Sequence, residues 1–271
     1  MAQAGADSQV QSMLTQGGRL AGRVALVTGA GGGIGRAVAL AFAQEEADLC
    51  LLDITPPGAL ASEVAALGRR TVALGADVTR REQVQAAVAR TIDTLGRLDI
   101  LVNVAGIVSF GAAATLDEAE WDRVIDVNLK GTFLFCQAVI PAMRAQGWGR
   151  IINLGSIIGK NGGNARPWLD PTEQERSSNV AYGVSKAGVH ALTAFLAREL
   201  ASSGITVNAI APGPIASAMT TSLPAALKAL IPVGRMGMAE DVANAAVFLA
   251  GERAGFITAE VLDVNGGMWA D

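Results

Sequence analysis

The sequence is poor in the residues that several common functions require. Phenylalanine, tryptophan and tyrosine together make up 4% of its 271 residues, and only one of these is a tyrosine. The chain also has a single histidine. A single histidine, His190, cannot supply a histidine cluster for a metal, so we predict no metal site. The two cysteines, Cys50 and Cys136, lie far apart in apolar segments. This favours buried, reduced thiols over a disulfide and fits a reducing cytoplasm.

Charge is also scarce. Charged residues make up 17% of the chain, the net charge is −4, and no run of lysine or arginine exceeds two residues. Without a basic surface we expect no nucleic-acid partner. No uncharged apolar run reaches about 18 residues, and the first twenty residues lack the basic start and apolar run of a signal peptide. We therefore predict a cytoplasmic protein with no membrane partner.

Apolar residues, in contrast, are abundant. Alanine, valine, leucine and other hydrophobic residues make up 51% of the chain. A chain of this length can form one large domain that buries about three-quarters of its unfolded surface. We predict a flexible tail over residues 1–19, one α/β domain over residues 20–271, and subunit contacts that hide further apolar surface.

A glycine-rich turn follows the first predicted strand. Residues 24–27 form a short apolar run, residues 28–35 read Thr-Gly-Ala-Gly-Gly-Gly-Ile-Gly, and residues 36–45 have helical periodicity. In a strand-turn-helix unit, such glycines let backbone amides approach a pyrophosphate at the positive end of the helix. Gly29, Gly33, Ile34 and Gly35 are therefore candidate cofactor contacts.

Asp53 ends the second predicted strand, residues 47–53, eighteen residues after Gly35. An acid at this distance accepts hydrogen bonds from an adenosine ribose. A 2′-phosphate about 4 Å from it would meet repulsion of about 4 kcal/mol per charge at an effective dielectric near 20. Arg36, the nearest arginine, lies in the first helix. The sequence therefore favours NAD(H) over NADP(H).

Strands and helices continue to alternate. Apolar strands between amphipathic helices indicate a parallel, doubly wound sheet covered on both faces, a single-domain Rossmann fold. Further strands are predicted over residues 70–74, 98–104, 150–154, 205–210 and 256–264, and helices over residues 80–95 and 117–146, the latter with a break near residues 128–131. Candidate cofactor contacts at the strand ends are Asp77, Val78, Asn103, Ala105, Gly106, Pro212 and Gly213.

The only tyrosine, Tyr182, stands four residues before Lys186. This spacing places both side chains on one helix face. An ammonium beside a phenol favours the phenolate, so we expect a lowered tyrosine pKa and an acid/base role near neutral pH. Ser156, just after the fifth strand, is predicted to reach the same sheet edge.

From about residue 20 onward, the chain resembles the short-chain dehydrogenase/reductase family, and within it the 3-oxoacyl-carrier-protein reductases. The resemblance rests on motifs in the family's order: Thr28-Gly29-x-x-x-Gly33-Ile34-Gly35, Asp77, Asn103-x-Ala105-Gly106, Asn128, Ser156, Tyr182-x-x-x-Lys186 and Pro212-Gly213.

The resemblance implies roles for individual residues. Tyr182 exchanges a proton with the substrate oxygen as hydride moves to or from NAD, and Ser156 hydrogen-bonds that oxygen. Lys186 lowers the tyrosine pKa and binds the nicotinamide ribose, and Asn128 holds a water of a proton relay. Asp77 lies near the adenine. Ile215 and Ser217 follow the Pro-Gly pair, and Ser217, in place of the family's threonine, offers a hydroxyl to the nicotinamide carboxamide.

This chain departs from its relatives between Ser156 and Tyr182. They are twenty-six residues apart, where relatives have about thirteen, so residues 160–179 hold an insertion that forms a lid, a pocket wall or a subunit contact. Lys160 or Arg166 is a candidate for binding a substrate carboxylate. For His190 we expect a structural role. Family analogy makes the apolar helices around residues 129–143 and 182–200 a dimer interface within a homotetramer.

Three functions remain open. The first is an NAD(H)-dependent oxidoreductase that interconverts a secondary alcohol and a ketone, with a small-molecule substrate. The alternative within the family is a 3-oxoacyl-carrier-protein or CoA reductase, which usually uses NADPH. A third, of another class, is a catalytically silent nucleotide sensor, against which the intact Asn128, Ser156, Tyr182 and Lys186 argue. About 60 residues follow Pro212, too few for the substrate domain of epimerases or dehydratases with the same tyrosine-lysine pair.

Overall fold

The computed structural model describes residues 18–163, 167–168, 170–216 and 229–270. Its centre is a seven-stranded sheet with strand order β3-β2-β1-β4-β5-β6-β7, in which every pair of neighbours is parallel. The order reverses between β1 and β4, and in open α/β sheets a ligand binds at the carboxyl ends beside this reversal. The predicted doubly wound parallel sheet is confirmed.

The elements follow one another in regular alternation. The strands are β1 (Val24–Thr28), β2 (Asp48–Asp53), β3 (Thr71–Gly75), β4 (Ile100–Asn103), β5 (Gly149–Leu154), β6 (Ile205–Pro212) and β7 (Val261–Val264). The α-helices are α1 (Gly33–Gln44), α2 (Gly58–Ala66), α3 (Arg81–Leu95), α4 (Glu118–Ile125), α5 (Gly131–Gln146), α6 (Ile158–Asn161), α7 (Pro171–Ser177), α8 (Val180–Leu200) and α9 (Ala239–Ala250).

Two apolar clusters cover the two faces of the sheet. On one face, α1 and α9 pack through residues such as Phe42 and Val247. On the other, α3, α5 and α8 pack through residues such as Val84, Phe135 and Leu196. The five inner strands are largely buried, which is why they read as apolar runs, whereas the edge strands β3 and β7 are only partly buried.

The last strand is shorter than predicted. Residues 256–260 lie outside β7, and Phe256 is fully exposed. Side-chain hydrogen bonds hold this segment as a loop: Asn208 donates to the Ile257 carbonyl and accepts from the Glu260 amide. Ala259 also has a positive φ of 66°, outside the β region, so the apolar pattern before Val261 does not continue as a strand.

The helix after β4 is not broken where the sequence predicts a break. Instead, α4 continues through a π-helical turn, Asp126–Lys130, into α5. By length and composition the combined stretch Glu118–Gln146 could span a membrane. Here its apolar side packs on the sheet through Phe135, Val139 and Met143, so its apolar residues form part of the core of the fold.

The start of the domain is attached to the end of α1. Arg19 donates through its backbone and its guanidinium to the Glu45 carboxylate, and the Leu20 amide donates to the Glu45 carbonyl. Arg19, which lies within the predicted tail of residues 1–19, is therefore bonded to the domain, and residues 1–17 lie outside the described residues.

Candidate active site

The π-helical turn points Asn128 into the protein. Its side chain is completely buried and bonds both backbone groups of Ile107: the Ile107 amide donates to Oδ1 (2.8 Å), and Nδ2 donates to the Ile107 carbonyl (2.9 Å). Nδ2 also donates to Ser185 Oγ (3.0 Å). Single π-turns inside α-helices often occur at functional sites. Asn128 therefore joins the loop after β4 to the helix that carries Tyr182.

Lys186 is buried on α8, with 4% of its surface exposed, and its Nζ donates to the Leu154 carbonyl at the end of β5 (2.7 Å). Burial lowers the pKa of the ammonium to about 8, because desolvation penalises the charged form. A Cβ on Gly106 would lie 3.5 Å from this Nζ and 3.2 Å from Asn128 Oδ1. The loop after β4 therefore packs against two predicted catalytic residues, Asn128 and Lys186.

Tyr182 lies one helical turn before Lys186, with the lysine Nζ 5.7 Å from its ring centroid. Burial raises the pKa of the phenol above its ordinary value of 10.0, and a hydrogen bond with the Ser156 side chain lowers it by a smaller amount. The expectation of a tyrosine pKa lowered by Lys186 is therefore wrong for this state of the protein. The reason is physical: the phenol is desolvated, and the ammonium is directed to Leu154.

Ser156 follows β5 in a tight turn and is 6% exposed. Its Oγ accepts from the Ile158 amide (3.2 Å), and its own amide donates to His190 Nε2 (3.4 Å). Strand β5 delivers the hydroxyl to Tyr182 as the sequence predicts. The four residues predicted to be catalytic, Asn128, Ser156, Tyr182 and Lys186, are therefore brought to one edge of the sheet.

The glycine-rich turn leaves room for backbone to pass closely. Gly29 has a positive φ of 67°, and a Cβ there would lie 2.7 Å from the Ala105 amide nitrogen. A Cβ on Gly35 would overlap the Gly29 carbonyl. No side chain caps the start of α1, and its first turn holds no acidic residue, so the amides of Gly33, Ile34 and Gly35 face a position that suits an anion.

Asp53 closes this turn. One carboxylate oxygen accepts from the Gly31 amide (2.8 Å) and the other from the Ile54 amide (2.7 Å). Arg36, the arginine nearest in sequence, is bonded through Nη2 to both oxygens of Glu63 at 2.8 and 2.6 Å. The glycine turn, the uncapped helix and the terminal acid together fit a dinucleotide.

The remaining predicted cofactor residues differ in how they are placed. Asp77 Oδ1 accepts from the amide and hydroxyl of Thr79, and Val78 packs against Gly131. Asn103 is 3% exposed, and its amide donates to Asn153 Oδ1 (2.9 Å). The Asn103 side chain is thus committed to the core.

The C-terminal part of the candidate site begins at Pro212, the last residue of β6. The Gly213 amide donates to the Val264 carbonyl (3.0 Å), and Ile215 pairs with Gly237 in a short bridge. These contacts place Pro212, Gly213 and Ile215 beside the carboxyl ends of β6 and β7. Ser217 lies outside the described residues.

The insertion is attached at both ends. Near its start, Lys160 Nζ pairs with Asp263 (3.0 Å) and donates to the Val261 carbonyl (3.1 Å). Near its end, the Ser178 carbonyl accepts from the Gly111 amide (2.7 Å). Lys160 is 10% exposed in its side chain and binds β7, so its proposed role in holding a substrate carboxylate is not supported. Arg166 lies outside the described residues.

Sequence reasoning missed Ser185, which is fully buried and donates to the Tyr182 carbonyl (2.7 Å) while accepting from Asn128. Its position three residues after the tyrosine, on the inner face of the same helix, is the signal that would have identified it. Among the described residues, no group of three or more histidine, cysteine or acidic side chains is placed to hold a metal.

This arrangement of fold and site is that of a dinucleotide-dependent oxidoreductase. Residues 29–269 match a family described as enoyl-(acyl carrier protein) reductase. The chain belongs to the short-chain dehydrogenase/reductase family, whose members use a nicotinamide cofactor.

Relatives with known names support the same family. The chain is 41% identical to (2S)-[(R)-hydroxy(phenyl)methyl]succinyl-CoA dehydrogenase subunit BbsD of Thauera aromatica, over 90% of this chain and 96% of that protein. It is 38% identical to the 3-oxoacyl-(acyl-carrier-protein) reductase FabG of Thermotoga maritima, over 92% and 99% of the two chains. A crystal structure of a short-chain dehydrogenase/reductase from Burkholderia xenovorans has a TM-score of 0.84 at 38% identity, covering 94% of this chain and 100% of that one.

Proposed function

We propose that the chain is an NAD(H)-dependent oxidoreductase that interconverts a secondary alcohol and a ketone, with Tyr182 as general acid and base. The observation that carries this proposal is that Ser156, which follows β5, and Tyr182 and the buried Lys186, one helical turn apart on α8, come together at the carboxyl edge of the sheet. When bound, NAD(H) supplies or accepts the hydride. All other steps fall to side chains of this chain.

Each residue has one task in this mechanism. The Ser156 hydroxyl hydrogen-bonds the substrate oxygen and stabilises the charge that develops there. The phenol of Tyr182 donates its proton to that oxygen in reduction and takes it back in oxidation. Lys186 binds the nicotinamide ribose, and its ammonium then favours the phenolate. Asn128, held by Ile107 and Ser185, binds the relay water.

The backbone of the glycine turn holds the pyrophosphate, and Asp53 accepts hydrogen bonds from the adenosine ribose. The remaining cofactor contacts are assigned to Asp77, Val78, Ala105, Gly106, Pro212, Gly213, Ile215 and Ser217. Two observations support the preference for NAD. The Asp53 carboxylate lies at the turn, where it would repel a 2′-phosphate, and the Arg36 guanidinium is already paired with Glu63.

Replacing Asp53 with alanine should therefore relax the choice of cofactor. We expect kcat/KM for NAD to fall and kcat/KM for NADP to rise, so that their ratio changes by about 100-fold, because repulsion of the 2′-phosphate is lost along with a ribose bond. Initial rates with both nucleotides measure the ratio.

Asp48→Ala is the matched control, since Asp48 starts the same strand at its other end and pairs with Arg70. It should leave the ratio unchanged. An NAD/NADP ratio that survives Asp53→Ala would contradict the assignment of Asp53.

The pH dependence should differ between the two directions. Oxidation needs the phenolate, and burial raises the pKa of Tyr182 in the free enzyme. Therefore the rate of alcohol oxidation at NAD concentrations well below saturation, where the free enzyme predominates, should rise with pH through neutrality, by up to tenfold per unit. Ketone reduction uses the protonated phenol and should not rise. An oxidation rate that does not rise with pH through neutrality would argue against this assignment.

A second candidate function is the reduction of a 3-oxoacyl thioester, or the oxidation of the corresponding hydroxyacyl thioester. It is favoured by the two named relatives, since one name describes a hydroxyacyl-CoA dehydrogenase and the other a 3-oxoacyl-carrier-protein reductase. Absorbance at 340 nm separates the two candidates, with simple secondary alcohols and 3-hydroxyacyl-CoA offered in parallel, each with NAD and with NADP. Nucleotide binding without turnover of any of these substrates would instead favour the sensor.

We also propose that the protein is a cytoplasmic homotetramer. Phe195 on α8 is 77% exposed, Val184 on the same helix is 45% exposed and Phe133 on α5 is 38% exposed, as expected if these helices pack against another subunit. Both cysteines are buried and unbridged, which agrees with a reducing compartment. Light scattering tests the assembly, and a monomeric mass would refute it.

A further inference from the structure

His190 lies directly beneath the turn that carries Ser156. It lies on α8, four residues after Lys186, and its imidazole contacts Gly155 before Ser156 and Gly159 in α6. A Cβ on Gly155 would overlap the ring and lie 2.6 Å from its Cδ2, and a Cβ on Gly159 would lie 3.0 Å from its Cε1. The two glycines thus leave the space that the imidazole fills.

The ring also accepts a hydrogen bond from the turn. The backbone amide of Ser156 donates to His190 Nε2 at 3.4 Å. This length is at the weak end of the hydrogen-bond range, so the bond adds little to stability. It requires an unprotonated Nε2, and it links the backbone of Ser156 to α8.

The neighbouring amides of the turn are held by a different element. The Gly155 amide donates to the Ile210 carbonyl (2.8 Å), and the Ile157 amide donates to the Pro212 carbonyl (3.1 Å), both on β6. Only the Ser156 amide, between them, bonds to α8. Because α8 also carries Tyr182, the His190 contact connects the turn of Ser156 directly to the helix of the phenol.

We propose that His190 is a positioning residue that aligns Ser156 with Tyr182 for proton and hydride transfer. The inference rests on the proposed function, since it assigns to His190 an effect on turnover that acts only through the Ser156 hydroxyl. His190 touches neither substrate nor nucleotide in this role. Gly155 is part of the same arrangement, because a side chain there would overlap the ring, and Gly159 lets the turn approach the backbone of α8 as well as the ring.

The test compares two replacements of similar length. His190→Gln keeps a polar acceptor near the position of Nε2, whereas His190→Met fills the same space without one. We expect His190→Met to lower kcat about tenfold, as expected for a misplaced catalytic group, while the Kd for NAD stays within about twofold. His190→Gln should recover most of the lost kcat.

A double-mutant cycle with Ser156→Ala separates positioning from a general structural role. Ser156→Ala alone should lower kcat by about 100-fold, the effect of losing a donor to the developing oxyanion. If His190 acts through Ser156, adding His190→Met to Ser156→Ala should lower kcat no further. Thermal unfolding of all variants verifies that each is folded at the assay temperature.

The outcomes distinguish the two levels of the proposal. A tenfold loss from His190→Met that persists in the Ser156→Ala background, or no difference between Gln and Met at position 190, overturns the positioning role and leaves the proposed function intact. Normal kcat in Ser156→Ala itself would overturn the proposed mechanism, whatever the His190 variants do.

Discussion

Replacing Tyr182 with phenylalanine should lower kcat by about 1000-fold or more, while NAD still binds with nearly normal Kd. The phenol is the proposed proton donor and acceptor, and a positioned general acid or base contributes roughly 10²–10⁴-fold. The change removes one oxygen and keeps the ring, so packing on α8 is preserved. Stopped-flow absorbance at 340 nm measures turnover, and quenching of protein fluorescence measures NAD binding.

Ser185→Ala provides a contrast for this experiment. Ser185 is buried on the same helix, three residues after the tyrosine, and bonds the Tyr182 carbonyl and Asn128. Its hydroxyl does not exchange a proton with substrate, so its loss should lower kcat far less, by about tenfold at most. Near-normal turnover by Tyr182→Phe would disprove the proposed mechanism.

The sequence was sufficient to predict the sheet, its parallel strands and the meeting of the motifs at one edge. Short apolar runs such as residues 49–52, which alternate with amphipathic helices, indicate strands buried on both faces, and in a parallel sheet all carboxyl ends share one edge. The proximity of Tyr182 and Lys186 could be predicted from their spacing alone, because residues i and i+4 of a helix lie on the same face.

What could not be predicted depends on contacts between residues distant in sequence. Nothing near Lys160 indicates that it pairs with Asp263, 103 positions later. The direction of the Tyr182 pKa shift depends on how deeply the fold buries the phenol and on where Lys186 points. Likewise, the irregular stretch around Asn128 was visible in the sequence, but a π-turn rather than a break results because α4 and α5 pack as one continuous helix.

Lys186→Met should have the second large effect, on both turnover and nucleotide binding. The ammonium is proposed to bind the nicotinamide ribose and to favour the phenolate once the nucleotide is bound. We expect kcat to fall by about 100-fold or more and the Kd for NAD to rise by about tenfold, since a charged hydrogen bond contributes roughly 1.5–3 kcal/mol. Lys130→Met, which removes an exposed lysine paired with Asp126, should leave both unchanged.

The same substitution should not destabilise the apo protein at pH 7, and this separates a functional lysine from a structural one. Burial lowers the pKa of Lys186 from 10.5 to about 8, so the unfolded chain binds the proton more tightly than the folded one. Stability is therefore lost as pH falls from about 10.5 through 8, by about 3 kcal/mol in total at 1.36 kcal/mol per pKa unit. Methionine carries no such penalty, although it leaves the Leu154 carbonyl without the lysine bond. Thermal unfolding between pH 7 and 10 should show a rise in Tm for the wild type that the variant lacks. A wild-type Tm that does not rise relative to the variant would mean that burial does not destabilise the charged form of Lys186.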